Sequence, residues 1–269
     1  MSPRKKTTKP RKRGPKKVKR LLLTGASNKG SRAYQEDRHL MISAEEGLIL
    51  VVMDGHGDAA CSQLLEQKFC EVWDTVYAPE KNPEQLYREL FEKFDALTSW
   101  MDCGSTMSVV FIPKANTGKE TQAHVAILGD SPVLVQNASG EVHISPEHNV
   151  RTNTAELEAA KARGGYYSNG YICYGPEGCG LQMSRALGDC NLGKILSRIP
   201  EVYSIELGDW VLVGTDGLLS PGHDESGVQM LLDIVKMIEE QDSNAEELVN
   251  YAVGIPSGDN VTAILWRRS

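Results

Sequence analysis

The sequence predicts an α+β fold built mainly from antiparallel sheets. Short apolar segments bounded by Gly, Asn or acidic turns are typical of strands, and longer segments with an apolar stripe at helical spacing are typical of helices. The strands come in runs that paired helices interrupt, without regular β-α alternation, which favours α+β. The 269 residues, 41% hydrophobic and 24% charged, suit one globular domain with a sizeable core, or at most two small ones.

The first half of the chain contains six predicted strands and two predicted helices. The strands cover residues 21–24, 38–42, 48–53, 106–112, 123–128 and 132–136. Residues 59–77 and 83–100 each place apolar side chains on one helical stripe, and Asn82-Pro83 suits the cap and first turn of the second helix. Gly129-Asp130-Ser131 is expected to join the last two strands as a hairpin.

The second half begins with a predicted helix over residues 154–163, which ends at Gly164-Gly165. The following stretch, 164–180, is rich in Gly, Tyr and Asn and has no clear period, so it predicts an irregular, mobile flap. The remaining predicted elements are strands at 203–207 and 210–213, helices at 226–240 and 245–253, and a last strand at 260–266.

The net charge of −7 hides a basic tail on an acidic body. Residues 1–20 carry eleven Lys or Arg and no acid, which leaves 18 bases against 36 acids on residues 21–269. The tail has three prolines and almost nothing apolar, so we expect it to be disordered. Its basic runs indicate a nuclear localisation signal that binds an import receptor, or a nucleic-acid contact; a solubilising extension is the alternative. We therefore expect the protein in the nucleus or the cytoplasm, and the basic tail favours the nucleus.

Membrane and secretory classes are not expected. No apolar run approaches the eighteen or so residues that span a bilayer, and the start shows no signal segment. The six cysteines are dispersed, without Cys-x-x-Cys pairs or zinc-ligand spacing. They are interpreted as reduced packing residues in an intracellular protein.

Acidic residues next to glycines follow three of the apolar strands and predict a metal site. These islands are Asp54-Gly55, Gly129-Asp130 and Asp216-Gly217. One Asp-Gly alone is most simply a turn, but three together with Glu36-Asp37 and His56 indicate converging ligands. Without a cation, such carboxylates would repel by about 4 kcal/mol per close pair at an effective dielectric near 20. Hard oxygen donors and the lack of a Cys ligand favour Mg²⁺ or Mn²⁺.

Seven short motifs lie along the chain: Arg32-x-x-x-Glu36-Asp37, Asp54-Gly-His-Gly57, Gly104-Ser-Thr106, Gly129-Asp-Ser131, Ser184-Arg-Ala-Leu-Gly-Asp189, Thr215-Asp-Gly217 and Asp259-Asn260. Their order and approximate spacing resemble those of the metal-dependent type 2C protein serine/threonine phosphatases. The chain resembles this family over residues 24–266. The resemblance implies a phosphatase domain over residues 21–269, with a central β-sandwich of two antiparallel sheets flanked by helices on both faces.

The resemblance also implies a site with two Mg²⁺ or Mn²⁺ ions at one end of the sandwich. A hydroxide bridging the ions would attack phosphoserine or phosphothreonine of a phosphoprotein directly, without a phospho-enzyme. Asp54 would bridge both metals beside the Gly55 carbonyl, and Asp216 and Asp259 would hold one of them. We expect the protein to act as a monomer.

Four further positions complete the implied site. Glu36 and Asp37 would act mainly through water on the other metal. Arg32 would hold phosphate oxygens with two N–H groups, which suits a guanidinium better than a lysine. His56 would be the general acid that protonates the departing alkoxide. Asp130 and the Ser184–Asp189 run, including Arg185 and Asp189, are interpreted as structural.

Four positions depart from the family pattern. Ser220 and Glu147 stand where the family has aspartates that are linked to a third, weaker metal, so a third ion is in question. Asp58 replaces a common Gly and adds negative charge near the cluster, and Pro132 replaces a frequent Arg. Neither removes a core ligand.

Two other functions compete with an active phosphatase. A pseudophosphatase would use the same fold as a binding scaffold, and the changes at Ser220 and Glu147 are its main support. A two-metal nuclease would also gather carboxylates and a basic segment, but the order of the motifs argues against it. A phosphate-binding loop at residues 25–31 is rejected because Ser31 occupies the position of the required Lys.

Overall fold

Two antiparallel sheets form the centre of the molecule in the computed structural model, which describes residues 22–114, 121–176, 178, 180–219, 226–255 and 258–268. The strands are β1 (Leu23–Asn28), β2 (Arg38–Ser43), β3 (Gly47–Met53), β4 (Gly55–His56), β5 (Gly104–Ser105), β6 (Met107–Pro113), β7 (Gln122–Leu128), β8 (Val133–Asn137), β9 (Val142–Ile144), β10 (Tyr166–Ser168), β11 (Tyr171–Cys173), β12 (Gly180–Leu181), β13 (Leu187–Gly188), β14 (Glu201–Gly214) and β15 (Val261–Arg267). The helices are α1 (Ala60–Val76), α2 (Pro83–Thr98), α3 (Thr154–Ala162), α4 (Asp216–Leu219), α5 (Ser226–Glu240) and α6 (Ala245–Val253).

One long strand, β14, belongs to both large sheets. The first sheet has the order β2-β3-β6-β7-β14, and the second has the order β1-β15-β14-β8-β9. Residues 201–206 pair with β7, whereas the segment that begins at Leu207 pairs with β8. Within that segment the register shifts between Leu207 and Val211. A side chain at Gly208 would collide with the Asn137 carbonyl. The glycine therefore lets the strand cross from one sheet to the other.

The apolar run of β3 shows how the layers pack. Ile49, Val51 and Met53 belong to the core that α1 and α2 share with the first sheet, whereas Leu50 and Val52 lie between the two sheets. Both faces of the strand are buried, which explains its continuous apolar sequence. On the far side, α5 and α6 cover the second sheet over a separate core. The order helix, sheet, sheet, helix confirms the predicted α+β fold and its implied sandwich.

Most predicted elements agree with the structure within a few residues, and both C-terminal helices have the predicted bounds. Asn82 caps α2 by accepting a hydrogen bond from the Gln85 N–H, with Pro83 in the first turn. The strands expected at 203–207 and 210–213 are one strand, β14, because the irregularity near Gly208 bends the ladder without ending it. The first strand lies at Leu23–Asn28, and residue 21 lies outside the described residues.

The hairpin predicted at Gly129-Asp130-Ser131 is wrong. The two flanking strands belong to different sheets, since β7 pairs with β6 and β14 while β8 pairs with β14 and β9. The connection therefore carries the chain from one sheet to the other. Gly129 has a φ of +111°, and a side chain there would meet Thr106, so only glycine fits this crossing.

The prediction of irregular structure for residues 164–180 is also wrong. Strands β10, β11 and β12 form a three-stranded antiparallel sheet there. Asn169 and Gly170 connect β10 to β11 with φ of +50° and +90°. That pair has the sign of φ and the residue types of a two-residue type I′ hairpin turn, a signal present in the sequence. We call residues 164–181 the flap; its mobility stays a prediction.

A second small sheet, β13-β5-β4, joins three of the sequence motifs. Among the described residues, no helix is both long and apolar enough to cross a membrane. The free thiols Cys61 and Cys173 are buried, as expected of packing residues, whereas Cys70 and Cys190 are exposed, which contradicts the prediction for these two. The basic tail, Cys179 and Ser220 lie outside the described residues.

Candidate active site

A cleft of about 280 Å³ gathers side chains from six distant parts of the chain. The residues that line it are Arg32, Glu36, Asp54, Gly55, His56, Gly57, Asp130, Tyr171, Gly180, Leu181, Gln182, Met183, Asp216 and Asp259. Seven of the eight predicted site residues are among them, and the eighth, Asp37, lies behind them. The flap supplies Tyr171, Gly180 and Leu181, a contribution that the sequence did not predict.

Asp54 lies where β3 ends, and its backbone is held on both sides. Its N–H donates to the Thr106 hydroxyl at 3.0 Å, and its carbonyl accepts from the Thr106 N–H at 2.9 Å. The next residue must be Gly55, because a Cβ there would approach the Glu36 carbonyl to 2.6 Å and the Ser62 hydroxyl to 2.8 Å. Close packing of backbone around this position fixes the direction of the Asp54 carboxylate.

Asn260 ties the two other acidic segments together. Its side-chain amide donates to the carbonyls of Lys29 and Tyr34, and its side-chain oxygen accepts from the Glu36 N–H at 2.8 Å. The loop between β1 and β2 is thereby fixed to the start of β15, next to Asp259. Asp216 starts α4 directly after β14. The ligand candidates thus sit on strand ends and short turns that a rigid sandwich holds in place.

The carboxylates raise one another's pKa. Burial and then the charges of Asp216, Asp37, Asp130 and Asp259 place the pKa of Asp54 well above its ordinary value. Burial and the charges of Asp216 and Asp259 raise the pKa of Asp37 to about 7, although hydroxyl hydrogen bonds from Thr262 and Thr215 oppose the rise. The pKa of Asp259 is also raised, by burial and by Asp216, against the effect of Arg32. The cluster is under electrostatic strain that a cation would relieve.

The donors fit hard divalent cations. The cleft offers carboxylate oxygens and the Gly55 backbone, and none of its described residues is a cysteine. Asp37 is buried, with one oxygen accepting from Thr215 and Thr262 and Oδ1 left without a hydrogen-bond partner in the described structure. In the described part of the chain, no three acidic, His or Cys side chains are already closed around one point.

Arg32 reaches the cleft from the β1–β2 loop. Its Nε donates to the Gly258 carbonyl at 2.9 Å, and a terminal nitrogen lies 3.0 Å from Asp259 Oδ1. Half of the side chain stays exposed. The guanidinium is therefore anchored at one edge and open to an incoming anion at the other.

His56 is held by a residue that the sequence analysis interpreted as structural. Asp189 Oδ2 lies 2.8 Å from His56 Nε2, and both side chains are largely buried. The two residues are 133 positions apart, and no local pattern links them. The structural interpretation of both residues stays a prediction: Asp189 contacts a predicted site residue, and Arg185 makes a double contact to Glu156.

Asp130 is a further acidic residue of the cleft. It lines the cleft, accepts a hydrogen bond from Asn149 at 3.0 Å, and contributes to the raised pKa of Asp54. Glu147 is not among the residues that line the cleft, and its carboxylate accepts from Thr152 at 2.7 Å. Asp58 lies just before α1 and accepts a hydrogen bond from the Ala60 N–H at 2.8 Å, so its charge has a local structural use.

Comparisons with known proteins identify the family of this chain. The sequence profile described as Protein phosphatase 2C matches residues 23–261. Probable protein phosphatase 2C 52 of Oryza sativa subsp. japonica is 26% identical over 255 residues, which cover 89% of this chain and 49% of that protein. Probable protein phosphatase 2C 41 of the same plant is 27% identical over 249 residues, covering 86% of this chain and 82% of that protein. The chain thus spans about half the length of the first of these relatives.

Solved structures share the fold at low sequence identity. A sex-determining protein of C. elegans has a TM-score of 0.74 at 24% identity, covering 94% of this chain and 66% of that one. A serine/threonine phosphatase from Staphylococcus aureus has a TM-score of 0.65 at 18% identity, covering 93% and 95%. These structures support the fold alone, and the family profile extends over most of the chain. The chain therefore belongs to the protein phosphatase 2C family.

Proposed function

We propose that this chain hydrolyses phosphoserine and phosphothreonine in proteins, with two Mg²⁺ or Mn²⁺ ions as cofactors. The observation that carries the proposal is the single cleft that unites Arg32, His56 and five carboxylates from distant segments. A phosphate clamp, a proton donor and a hard-cation site are the three parts that hydrolysis of a phosphate ester requires.

The proposed cation ligands are Asp54, the Gly55 carbonyl, Asp216 and Asp259, with Glu36 and Asp37 acting mainly through water. When bound, the ions would lower the pKa of water and offset charge on the phosphate. Arg32 would orient the phosphate through the N–H groups that Gly258 and Asp259 do not use. His56 would give its proton to the departing alkoxide, which is too basic to leave unprotonated.

Phosphate release from a phosphothreonine peptide tests the proposal. Turnover should need Mn²⁺ or Mg²⁺, stop with chelator, and fall by at least about 100-fold in Asp54→Ala and in Asp216→Ala, because each loses a charged ligand. An exposed helix substitution, Glu158→Gln, serves as the control that keeps full activity. Retained activity in both aspartate variants would contradict the proposal.

The alternatives lack support in the cleft. A pseudophosphatase scaffold would bind no divalent ion, so calorimetry at millimolar Mg²⁺ separates it from the enzyme. Among the described lining residues, Arg32 is the only Lys or Arg. A nuclease needs a basic track for the phosphate backbone, and a cleavage assay with protein lacking residues 1–20 would reveal one.

For the basic tail we propose nuclear targeting, on the strength of eleven Lys or Arg in residues 1–20. The tail fused to a fluorescent protein should accumulate in nuclei. The same fusion with Lys16, Lys17, Lys19 and Arg20 changed to Ala is the matched control. Equal distribution of the two fusions would contradict the proposal.

A further inference from the structure

The carboxylate of Asp189 holds the ring of His56. The distance from Asp189 Oδ2 to His56 Nε2 is 2.8 Å, and the exposed fractions of the two side chains are 7% and 19%. The other ring nitrogen, Nδ1, is buried and has no hydrogen-bond partner within the described structure. A carboxylate accepts hydrogen bonds only, so the contact with Asp189 places a proton on Nε2.

Several features of the backbone serve to place this carboxylate. The β13-β5-β4 sheet brings Leu187–Gly188 beside Gly104–Ser105, which in turn pairs with Gly55–His56. Asp189 follows β13 directly, and its N–H donates to the Cys103 carbonyl at 3.0 Å. Its φ of +49° is left-handed, a conformation that a non-glycine residue adopts at a cost. Such backbone strain persists only where surrounding contacts hold the residue in place, as the contacts around Asp189 do.

Two neighbours make the close approach of Asp189 to His56 possible. At Gly104, a Cβ would collide with both the Asp189 carboxylate and His56 Nε2, so the pair exists only with glycine there. Arg198 donates to the carbonyls of Ala186 and Gly188 and lies 3.4 Å from Asp95, which braces the strand before Asp189 against α2. The segment is thus built around the His56–Asp189 contact.

We propose that Asp189 is a positioning residue that fixes the orientation and tautomer of His56, an inference that rests on the proposed function. Water attacks phosphorus, and its two protons stay on the phosphate that is released. The bond from phosphorus to the serine or threonine oxygen breaks, and its electron pair goes to that oxygen. The protonated His56 ring gives one proton to the same oxygen. The ring remains as the neutral tautomer with its proton on Nε2, bound to Asp189. Asp189 itself touches no reacting atom.

Two substrates separate this role from a structural one. A phosphothreonine peptide needs a protonated leaving group, whereas p-nitrophenyl phosphate releases a weakly basic phenolate that does not. Asp189→Asn is the variant of choice, since asparagine tolerates a positive φ and keeps the shape. We expect kcat for the peptide to fall about 10- to 100-fold with KM nearly constant, and turnover of p-nitrophenyl phosphate to change by less than about 3-fold. Equal losses with both substrates would overturn the proposal.

A neighbouring carboxylate and a double variant complete the kinetic test. Asp102 accepts hydrogen bonds from Asn191 and Cys190 close to Asp189 in the chain fold. Asp102→Asn should leave both activities unchanged. His56→Ala/Asp189→Asn should be no slower with the peptide than His56→Ala alone, within about 2-fold, because Asp189 acts only through the ring. A further loss in the double variant would contradict that.

The tautomer of His56 can be measured by NMR, without an activity assay. Nitrogen NMR of the His56 ring at pH 8 should show the proton on Nε2 in the wild type and a mixture of tautomers in Asp189→Asn. An unchanged tautomer in the variant would overturn the positioning role. Failure of the wild type to hydrolyse either substrate would instead contradict the proposed function, and the NMR result would still decide the inference about Asp189.

Discussion

Individual carboxylates of the cleft are held together against their mutual repulsion. Asp54, Asp37 and Asp259 all have raised pKa values, with burial as the first cause and neighbouring carboxylates as the next. The backbone bonds of Thr106 to Asp54 and the amide of Asn260 supply the opposing stabilisation. Residues chosen for a charged site therefore lower the stability of the ion-free protein.

Asp54→Asn should lose activity and yet stabilise the ion-free protein. The substitution removes one charge while the backbone contacts with Thr106 remain. In chelator we expect the melting temperature to rise by about 2–4 °C for each kcal/mol of repulsion removed, and the stabilisation by added Mn²⁺ to shrink. Thermal melts of both proteins, with Glu158→Gln as control, measure the effect. A lower melting temperature in chelator would contradict the repulsion.

The stability of a helix depends in part on the polar contacts at its ends. Helix α6 has a capping box, in which Asn244 accepts from the Glu247 N–H and the Glu247 carboxylate accepts from the Asn244 N–H. The apolar face of α6 covers the second sheet. Its start is thus set by polar contacts and its packing by apolar ones.

Asn244→Ala should destabilise the protein by about 1 kcal/mol, since the N-terminal N–H groups of α6 lose their acceptor. The matched control is Asn250→Ala, an exposed position inside the same helix, where alanine is the better helix former and stability should hold or rise slightly. Urea unfolding of the two variants gives both free energies. Equal effects at the two positions would argue against the cap.

His148 connects the end of β7 to the start of β14. Its Nδ1 accepts from the Gly129 N–H, and its Nε2 lies 3.4 Å from Glu201. Burial lowers its pKa from 6.5, although Glu201 and Glu156 oppose the shift and Arg185 adds to it. The folded state therefore resists the proton that the unfolded state accepts. This contribution is full above about pH 6.5 and is lost as pH falls towards the lowered folded pKa.

His148→Asn tests this pH dependence, since the asparagine oxygen can still accept from Gly129. We expect the variant to melt lower at pH 7.5, because the smaller side chain leaves a void. Its melting temperature should fall less than that of the wild type between pH 7.5 and pH 5.5. Thermal melts at several pH values give the change of melting temperature with pH for both proteins. Parallel curves would contradict the attribution of this pH dependence to His148.

At the scale of the whole molecule, the two sheets share β14, so neither helix layer can come apart without disturbing the other sheet. Trp73 lies in the layer of α1 and α2, and Trp210 lies in the layer of α5 and α6. The shared strand makes a single cooperative transition the expected behaviour.

Variants that keep only Trp73 or only Trp210, with Phe at the other three tryptophans, report each layer separately. In each variant the fluorescence midpoint in urea should coincide with the midpoint from circular dichroism. A fluorescence transition that precedes loss of secondary structure in either variant would show that one layer unfolds by itself.

The sequence by itself determined the helices, most strands and the identity of the ligand candidates. Each of these depends on local features, such as the stripe that defines α1 and the strand-ending Asp54-Gly55. The Asn169-Gly170 turn was also visible locally and shows that the flap could have been predicted as a hairpin.

Only the tertiary structure decided which distant groups meet. It placed β7 and β8 in different sheets, carried β14 through both, and brought Asp189 to His56 across 133 residues. Such pairings follow from burial of apolar faces and from register over long separations, for which the chain carries no periodic signal. A short motif can therefore reveal that His56 is chemically important, while the partner that holds its ring becomes visible only when the small β13-β5-β4 sheet is formed.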